Sequence, residues 1–312
     1  MYLQHFGLRE LPFSLTPNTQ FFLNMASYHK AYNMLMVSLA NAEGFIKIVG
    51  EVGTGKTMLC RKVLNTLEED KENYITAYIP NPVLSPKGLF LAFAEELNIE
   101  IDQDVGHHRL LKAITEKLVE FSANGKQVVL FIDEAHAMPE QTLEALRLLT
   151  NEALRLLTNI ETEQVKLFQV VLFAQPELDI CLSQPSLRQL RQRITFSIEI
   201  EALDRDGFER YVSHRLATAG YNGPFLFSKR ALEYLFRSSD GIPRVVNILC
   251  HKALLVAFGK GERAVQIDHI KSAAEDTEGV ELPSFNYHPA FVALAGIAAG
   301  AALVFYLGRM YL

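Results

Sequence analysis

The stretch Gly50-Glu51-Val52-Gly53-Thr54-Gly55-Lys56-Thr57 constrains this chain more than any other. It matches the spacing G-x-x-x-x-G-K-[ST]. It follows a short apolar run, GFIKIV at 44–49, and precedes a helical pattern over 56–69. A strand that ends in a glycine-rich turn and opens into a helix is the context in which this spacing holds phosphate. Glycines let backbone N–H groups close around phosphate oxygens with no Cβ in the way. The start of the helix adds partial positive charge. On this reading residues Gly50, Glu51, Val52, Gly53, Thr54, Gly55, Lys56, Thr57 and Met58 bind the nucleotide. The Lys56 ammonium reaches the β and γ phosphates, and the Thr57 hydroxyl ligates Mg²⁺. A glycine-rich turn with no ligand has no need of both flanking elements.

A second signal supplies the other half of such a site. VVLFID at 128–133 is a fully apolar strand pattern that delivers Asp133 and then Glu134 at its C-terminal end. Asp133 is placed to bind Mg²⁺ through water, and Glu134 to polarise an attacking water as general base. Residues 133–136 also spell DEAH, a helicase signature. One phosphate loop on one sheet leaves no room for a second helicase core, so that reading is set aside, and His136 is expected beside the site and not as a ligand.

Further strands are expected at 74–80, 165–174 and 194–200, with helices over 27–41, 86–97 and 107–123 between them. Strands alternating with helices predict an α/β fold, a parallel sheet flanked by helices. After Ile200 the pattern turns helical, over 203–219, 229–237, 245–258 and 268–275. The expected organisation is a lead segment 1–43, a nucleotide-binding domain 44–200, a small all-helical lid 201–276 and a linker 277–289. An uncharged 18-residue run, AFVALAGIAAGAALVFYL at 290–307, comes last. As a helix that run measures roughly 27 Å, close to the thickness of a bilayer core, and it is expected to be a single transmembrane helix. ATP is cytoplasmic, which puts the ATPase domain on the cytoplasmic side of the inner membrane.

Composition narrows the partners. The net charge is −6, but it splits into −8 over 1–187, +5 over 188–271 and −3 over the remainder. The basic segment is the only support for a DNA-handling role, such as a transposition helper or an initiator-like loader. No long run of like charge accompanies it, so nucleic acid is not an expected partner. Cys60, Cys181 and Cys250 are far apart and lack metal spacing, which excludes a disulfide framework and a zinc site. The first residues, MYLQHFGLREL, have neither the basic nor the apolar region of a secretory signal.

One repeat stands out. EALRLLTN occupies 144–151 and recurs at 152–159. Eight residues add about 12 Å and a net rotation of roughly 80° to an α-helix. Leu143, Leu146, Leu149, Leu154 and Leu157 still share one broad face, so a lengthened helix is the preferred reading; a looped-out copy is the alternative.

Taken jointly, HFGLRELPFSLTPN, GEVGTGKT, DEAHAMPEQTLEALRLLTN, FAQPELD, LRQLRQRI and DGIPRVVNIL resemble an AAA+ P-loop ATPase of the general secretion pathway protein A family. The resemblance covers about residues 1–275. It implies ATP hydrolysis with Mg²⁺, a homo-oligomer such as a hexameric ring, and work on pilus or secretion assembly proteins. It places Gln175 at the sensor 1 position, next to the γ-phosphate or the attacking water. It places Arg244, in Gly241-Ile242-Pro243-Arg244, at sensor 2. It also implies an arginine finger for the neighbouring subunit's nucleotide, with Arg193 preferred over Arg188. Two departures stand out: the second EALRLLTN copy, and Ala174 where the family pattern leads one to expect glycine. Relatives of this branch continue past the membrane into a peptidoglycan-binding region; that activity is not implied for these residues.

Overall fold

Five apolar runs pair into one all-parallel sheet in the computed structural model, which describes residues 2–16, 21, 26–102, 104–158, 167–280 and 282. The strands are β1 (Phe45–Val49), β2 (Tyr74–Ile79), β3 (Gln127–Ile132), β4 (Phe168–Ala174) and β5 (Ile194–Glu199). Their order across the sheet is β2-β3-β4-β1-β5, every pair parallel. Strands β3 and β4 are buried almost throughout, which is why they read as unbroken apolar runs with no alternation.

Alternate residues of these strands face two cores. Ile46, Ile48, Val129, Phe131, Val171 and Phe173 join α2 (Ala26–Ala40) and α3 (Lys56–Glu69) on one face. Val128, Leu130, Ile132, Val170 and Leu172 face α4 (Pro86–Glu96), α5 (His107–Ala123) and α6 (Glu140–Thr158) on the other. Two short helices that the sequence reading did not resolve, α7 (Glu177–Leu182) and α8 (Arg188–Arg193), close that second layer through Leu178, Leu182 and Leu190. Lys47 is the polar exception within β1; it is buried and forms an ion pair with Asp179 of α7.

The repeat is resolved as one continuous helix. Helix α6 runs unbroken through the first EALRLLTN copy and most of the second. Leu143, Leu146 and Leu149 are fully buried. The side chains of 151–158 lie outside the description, Leu154 and Leu157 among them.

The helical lid consists of α9 (Arg205–Thr218), α10 (Lys229–Ser239), α11 (Pro243–Gly259) and α12 (Ile267–Glu275). Its starts are set locally. Asp204 and Ser228 accept from the backbone N–H three residues on, and Pro243 sits at the first turn of α11. The core on the α2/α3 face continues into the lid without a break. The lead segment divides between the two units. Helix α1 (Tyr2–Phe6) and the strap that follows it pack on the lid, whereas α2 packs on α3 and β5.

Among the described residues no helix is long and apolar enough to cross a membrane. The run 290–307, expected to be a transmembrane helix, lies outside the described residues.

Gly241 joins the two units. Its φ is +68°, and a Cβ there would collide with the Leu203 carbonyl, while Leu203 N–H donates to the Gly241 carbonyl at 2.9 Å. Gly241→Ala is therefore expected to destabilise the fold by more than about 1 kcal/mol. A urea melt checks this; an unchanged midpoint would show that the junction tolerates a side chain.

Candidate functional site

The position of the site follows from strand order. Strands β1 and β4 are neighbours, yet the chain leaves β1 toward β2 and leaves β4 toward β5 on the opposite side. Connections that part in opposite directions open a crevice at the C-terminal ends of the strands. Gly50 lies at the end of β1 and Gln175 at the end of β4, and the Gly50 N–H donates to the Ala174 carbonyl at 3.2 Å. Asp133 and Glu134 follow β3 directly.

The loop itself is held by its glycines. Gly53 has φ +84° and Gly55 φ +98°, a backbone that L side chains rarely adopt. A Cβ at Gly53 would overlap Arg244, and one at Gly55 would overlap the Tyr28 phenol. The Thr54 hydroxyl donates to the Glu51 carbonyl at 2.9 Å and pins the turn. The Lys56 ammonium, itself buried, donates to the carbonyls of Gly50 at 2.7 Å and Glu51 at 2.9 Å. Burial lowers its pKa, and the carboxylates of Glu134, Asp133, Glu51 and Glu177 act against that shift.

The acidic residues are placed differently from one another. Asp133 is 3% exposed, and its carboxylate accepts from the Glu134 N–H at 3.0 Å and from the Thr57 hydroxyl. Burial raises its pKa, with the two hydrogen bonds opposing. Glu134 has φ 52° and ψ 36°, a left-handed conformation that costs a non-glycine residue on the order of 1–3 kcal/mol. Its Oε2 accepts from Gln175 Nε2 at 3.2 Å and lies 3.5 Å from His136 Nδ1. His136 thus sits beside the acid, in the three-residue turn Ala135–Ala137.

The Thr57–Asp133 pair offers hard oxygen ligands side by side, as Mg²⁺ requires. Among the described residues no group of three or more His, Cys, Asp or Glu side chains forms a metal cage. Mg²⁺ usually takes one or two protein oxygens and completes its shell from water and phosphate, so the donor set fits that ion.

From the loop a cavity of about 370 Å³ extends toward the lid. Val52, Gly53, Gly55, Lys56, Thr57, Met58, Glu134 and Gln175 line its phosphate end, and Arg244 reaches it from α11. The Arg244 N–H donates to the Gly53 carbonyl at 3.2 Å. The far end is built from Phe21, Tyr211, Arg215 and Asn247 together with the strap residues Ser14, Leu15 and Thr16, and Tyr28 stands between it and Gly55 of the loop. This largely apolar end suits the base of a nucleotide, although the Arg215 guanidinium already lies over the Phe21 and Tyr211 rings. The sequence reading missed this end entirely. Its one local signal is the pair Tyr211 and Arg215, four apart on α9 and so on one helix face.

The two candidate finger arginines, Arg188 and Arg193, and Arg191 between them, differ in freedom. Arg188 and Arg191 are exposed. Arg193 is half-buried and its Nη1 donates to the Thr150 hydroxyl on α6 at 2.8 Å. Burial and the neighbouring Arg147 lower its pKa.

Comparison with known proteins follows the same lines. A family model described as an AAA domain matches residues 40–182, the span from the end of α2 to the end of α7. Those residues are an AAA domain. The chain is 39% identical over 296 residues to general secretion pathway protein A of Aeromonas hydrophila, across 95% of this chain and 52% of that protein. The chain therefore spans about half the length of that relative. Solved structures agree on the fold alone. Cdc6p of Pyrobaculum aerophilum superposes with a TM-score of 0.65 at 17% identity, over 86% of this chain and 72% of that one. The ORC2 protein of Aeropyrum pernix, solved as ADPNP–ADP complexes, gives 0.57 at 15% identity, over 86% and 73%.

Three substitutions test the site. Lys56→Ala is expected to abolish ATP binding in calorimetric titration, while Glu134→Gln binds ATP and loses turnover by at least about 10². Full turnover in Glu134→Gln would remove that residue from the chemistry. Asp133→Asn tests the buried carboxylate. Because the folded-state pKa is raised, Asp133 favours folding when protonated and opposes it increasingly as pH rises through that pKa. At pH 7 Asp133→Asn is expected to raise the melting temperature and abolish Mg²⁺-dependent turnover. A lower melting temperature would show that its hydrogen bonds outweigh its burial.

Proposed function

We propose that this AAA ATPase binds MgATP in the crevice between sheet and lid and couples its hydrolysis to assembly of a secretion apparatus or an MSHA-type (type IV) pilus at the inner membrane. The observation that carries the chemistry is the convergence of Lys56, Thr57, Asp133, Glu134 and Gln175 at the ends of three adjacent strands. Lys56 neutralises phosphate charge. Thr57 and Asp133 hold the metal shell. Glu134 takes a proton from water, and Gln175 orients Glu134 through the 3.2 Å contact. Arg244 lies against the phosphate loop and reports to the lid whether the γ-phosphate is still attached.

The name of the Aeromonas relative supports the secretion reading. The motif resemblance extends to MshM, the ATPase of MSHA pilus biogenesis, and this supports the pilus as the specific machine. The uncharged run 290–307 supports a single membrane anchor with the ATPase domain on the cytoplasmic side.

The active form on this proposal is a ring in which each subunit completes its neighbour's site. Arg193 is bonded to α6, so we assign the finger to the exposed Arg188. Arg188→Ala is expected to leave ATP binding intact and to lower turnover by about 10³–10⁵, the usual worth of such a finger. Unchanged turnover would return the assignment to Arg193 or Arg191. The cellular role is tested by affinity capture from membranes with Glu134→Gln and ATP. Pilus or secretion components are the expected partners; salt-sensitive capture of DNA or of transposition proteins would overturn the role.

A further inference from the structure

Arg215 is a buried cation with an unusual set of partners. It is 8% exposed and lies on the inner face of α9. Its Nε donates to the Pro12 carbonyl at 2.6 Å, its Nη2 to the Ser14 carbonyl at 3.0 Å and its Nη1 to the Tyr211 hydroxyl at 3.4 Å. The guanidinium also lies over the ring of Phe21 at 4.8 Å and that of Tyr211 at 5.6 Å. Among the described residues no carboxylate is a partner. A buried charge held only by carbonyls, a phenol and ring faces is costly unless it does something that an apolar side chain cannot.

What it does is visible in the strap. Residues 12–14 carry the two carbonyls, and Ser14, Leu15 and Thr16 form a wall of the nucleotide cavity. The rest of the strap also holds to the lid. The Arg9 N–H donates to the Ala219 carbonyl at 2.8 Å, Tyr2 bonds the His251 ring at 3.1 Å, and Phe13 packs edge-on against Phe227. The lid also carries Arg244, whose backbone bonds Gly53 of the phosphate loop. The cavity wall and the sensor arginine are therefore carried by one body.

We propose that Arg215 is a positioning residue that latches the strap at residues 12–16 onto the lid, so that the strap closes over bound nucleotide in step with Arg244 and limits nucleotide release. The proposal rests on the reading of the cavity as the ATP site. The fork of the guanidinium suits the task, because it bonds two carbonyls of one extended segment at once. Lysine keeps the charge but offers no such fork.

The chain contains no tryptophan, so Leu15→Trp places a single reporter in the wall. In full-length Leu15→Trp protein, ATP is expected to change the tryptophan emission. Adding Arg215→Met is expected to abolish that change while ATP still binds by calorimetry, with a dissociation constant about tenfold higher, consistent with losing hydrogen bonds from a charged donor. Arg215→Lys is expected to fall between the two, and it serves as the test should the methionine variant not fold. An emission change of full amplitude in Arg215→Met or Arg215→Lys with ATP bound would overturn the latch and leave the nucleotide site intact. No heat of ATP binding in the unsubstituted protein would overturn the site and the latch with it.

Discussion

Two parallel strands lie side by side here while their connections depart in opposite directions, and everything functional depends on that arrangement. The sheet order puts the end of β1 next to the end of β4 with no helix crossing above them. The phosphate loop, Asp133 and Gln175 then meet at one edge, drawn together by the pairing of β1 and β3 with β4. Burial of both sheet faces makes this edge rigid, because β1, β3 and β4 are locked into apolar layers above and below. The Lys47–Asp179 ion pair adds a tie from β1 to α7, the helix that follows Gln175. Lys47 is buried but Asp179 is about half exposed, so the pair adds little to stability.

The lid lines the cavity with Tyr211, Arg215, Arg244 and Asn247, and two backbone contacts fix its position: one at its own start and one on the phosphate loop. Gly241 has to be glycine because the Leu203 carbonyl occupies the space of a side chain. Three residues on, Arg244 rests on Gly53 so closely that the phosphate loop also needs a glycine there. The sheet-to-lid junction and the nucleotide loop are thereby joined by one short segment, 241–244. Movement of α11 cannot leave the phosphate loop unaffected.

The parts legible in the sequence were those whose signal is local. The loop glycines, the VVLFID run and the 3.6-residue periodicity of α3, α5 and α10 each lie within a window of some fifteen residues, and the structure places them where the patterns pointed. The base end of the cavity was not legible. Phe21, Tyr211 and Asn247 come from three separate regions of the chain, and an aromatic residue on a helix reads as core until its neighbours are known. Arg215 was equally silent, since its partners are carbonyls, which every residue has. Short α7 and α8 escaped because six residues hold too few turns to show a period. Arg193 was legible as an arginine beside the right strand, but its bond to Thr150 depends on where α6 lies.

That bond also marks a boundary within α6. Leu143, Leu146 and Leu149 fill the core, and Thr150 receives Arg193, all before the second EALRLLTN copy begins. Among the described side chains, Leu143 and residues of the first copy of the duplicated octapeptide anchor α6. Each further octapeptide would add about 12 Å and a net rotation of roughly 80° beyond the residues that anchor α6. Relatives of this ATPase that differ in the number of octapeptides should differ in what they touch at the distal end of α6, and not in how they cleave ATP.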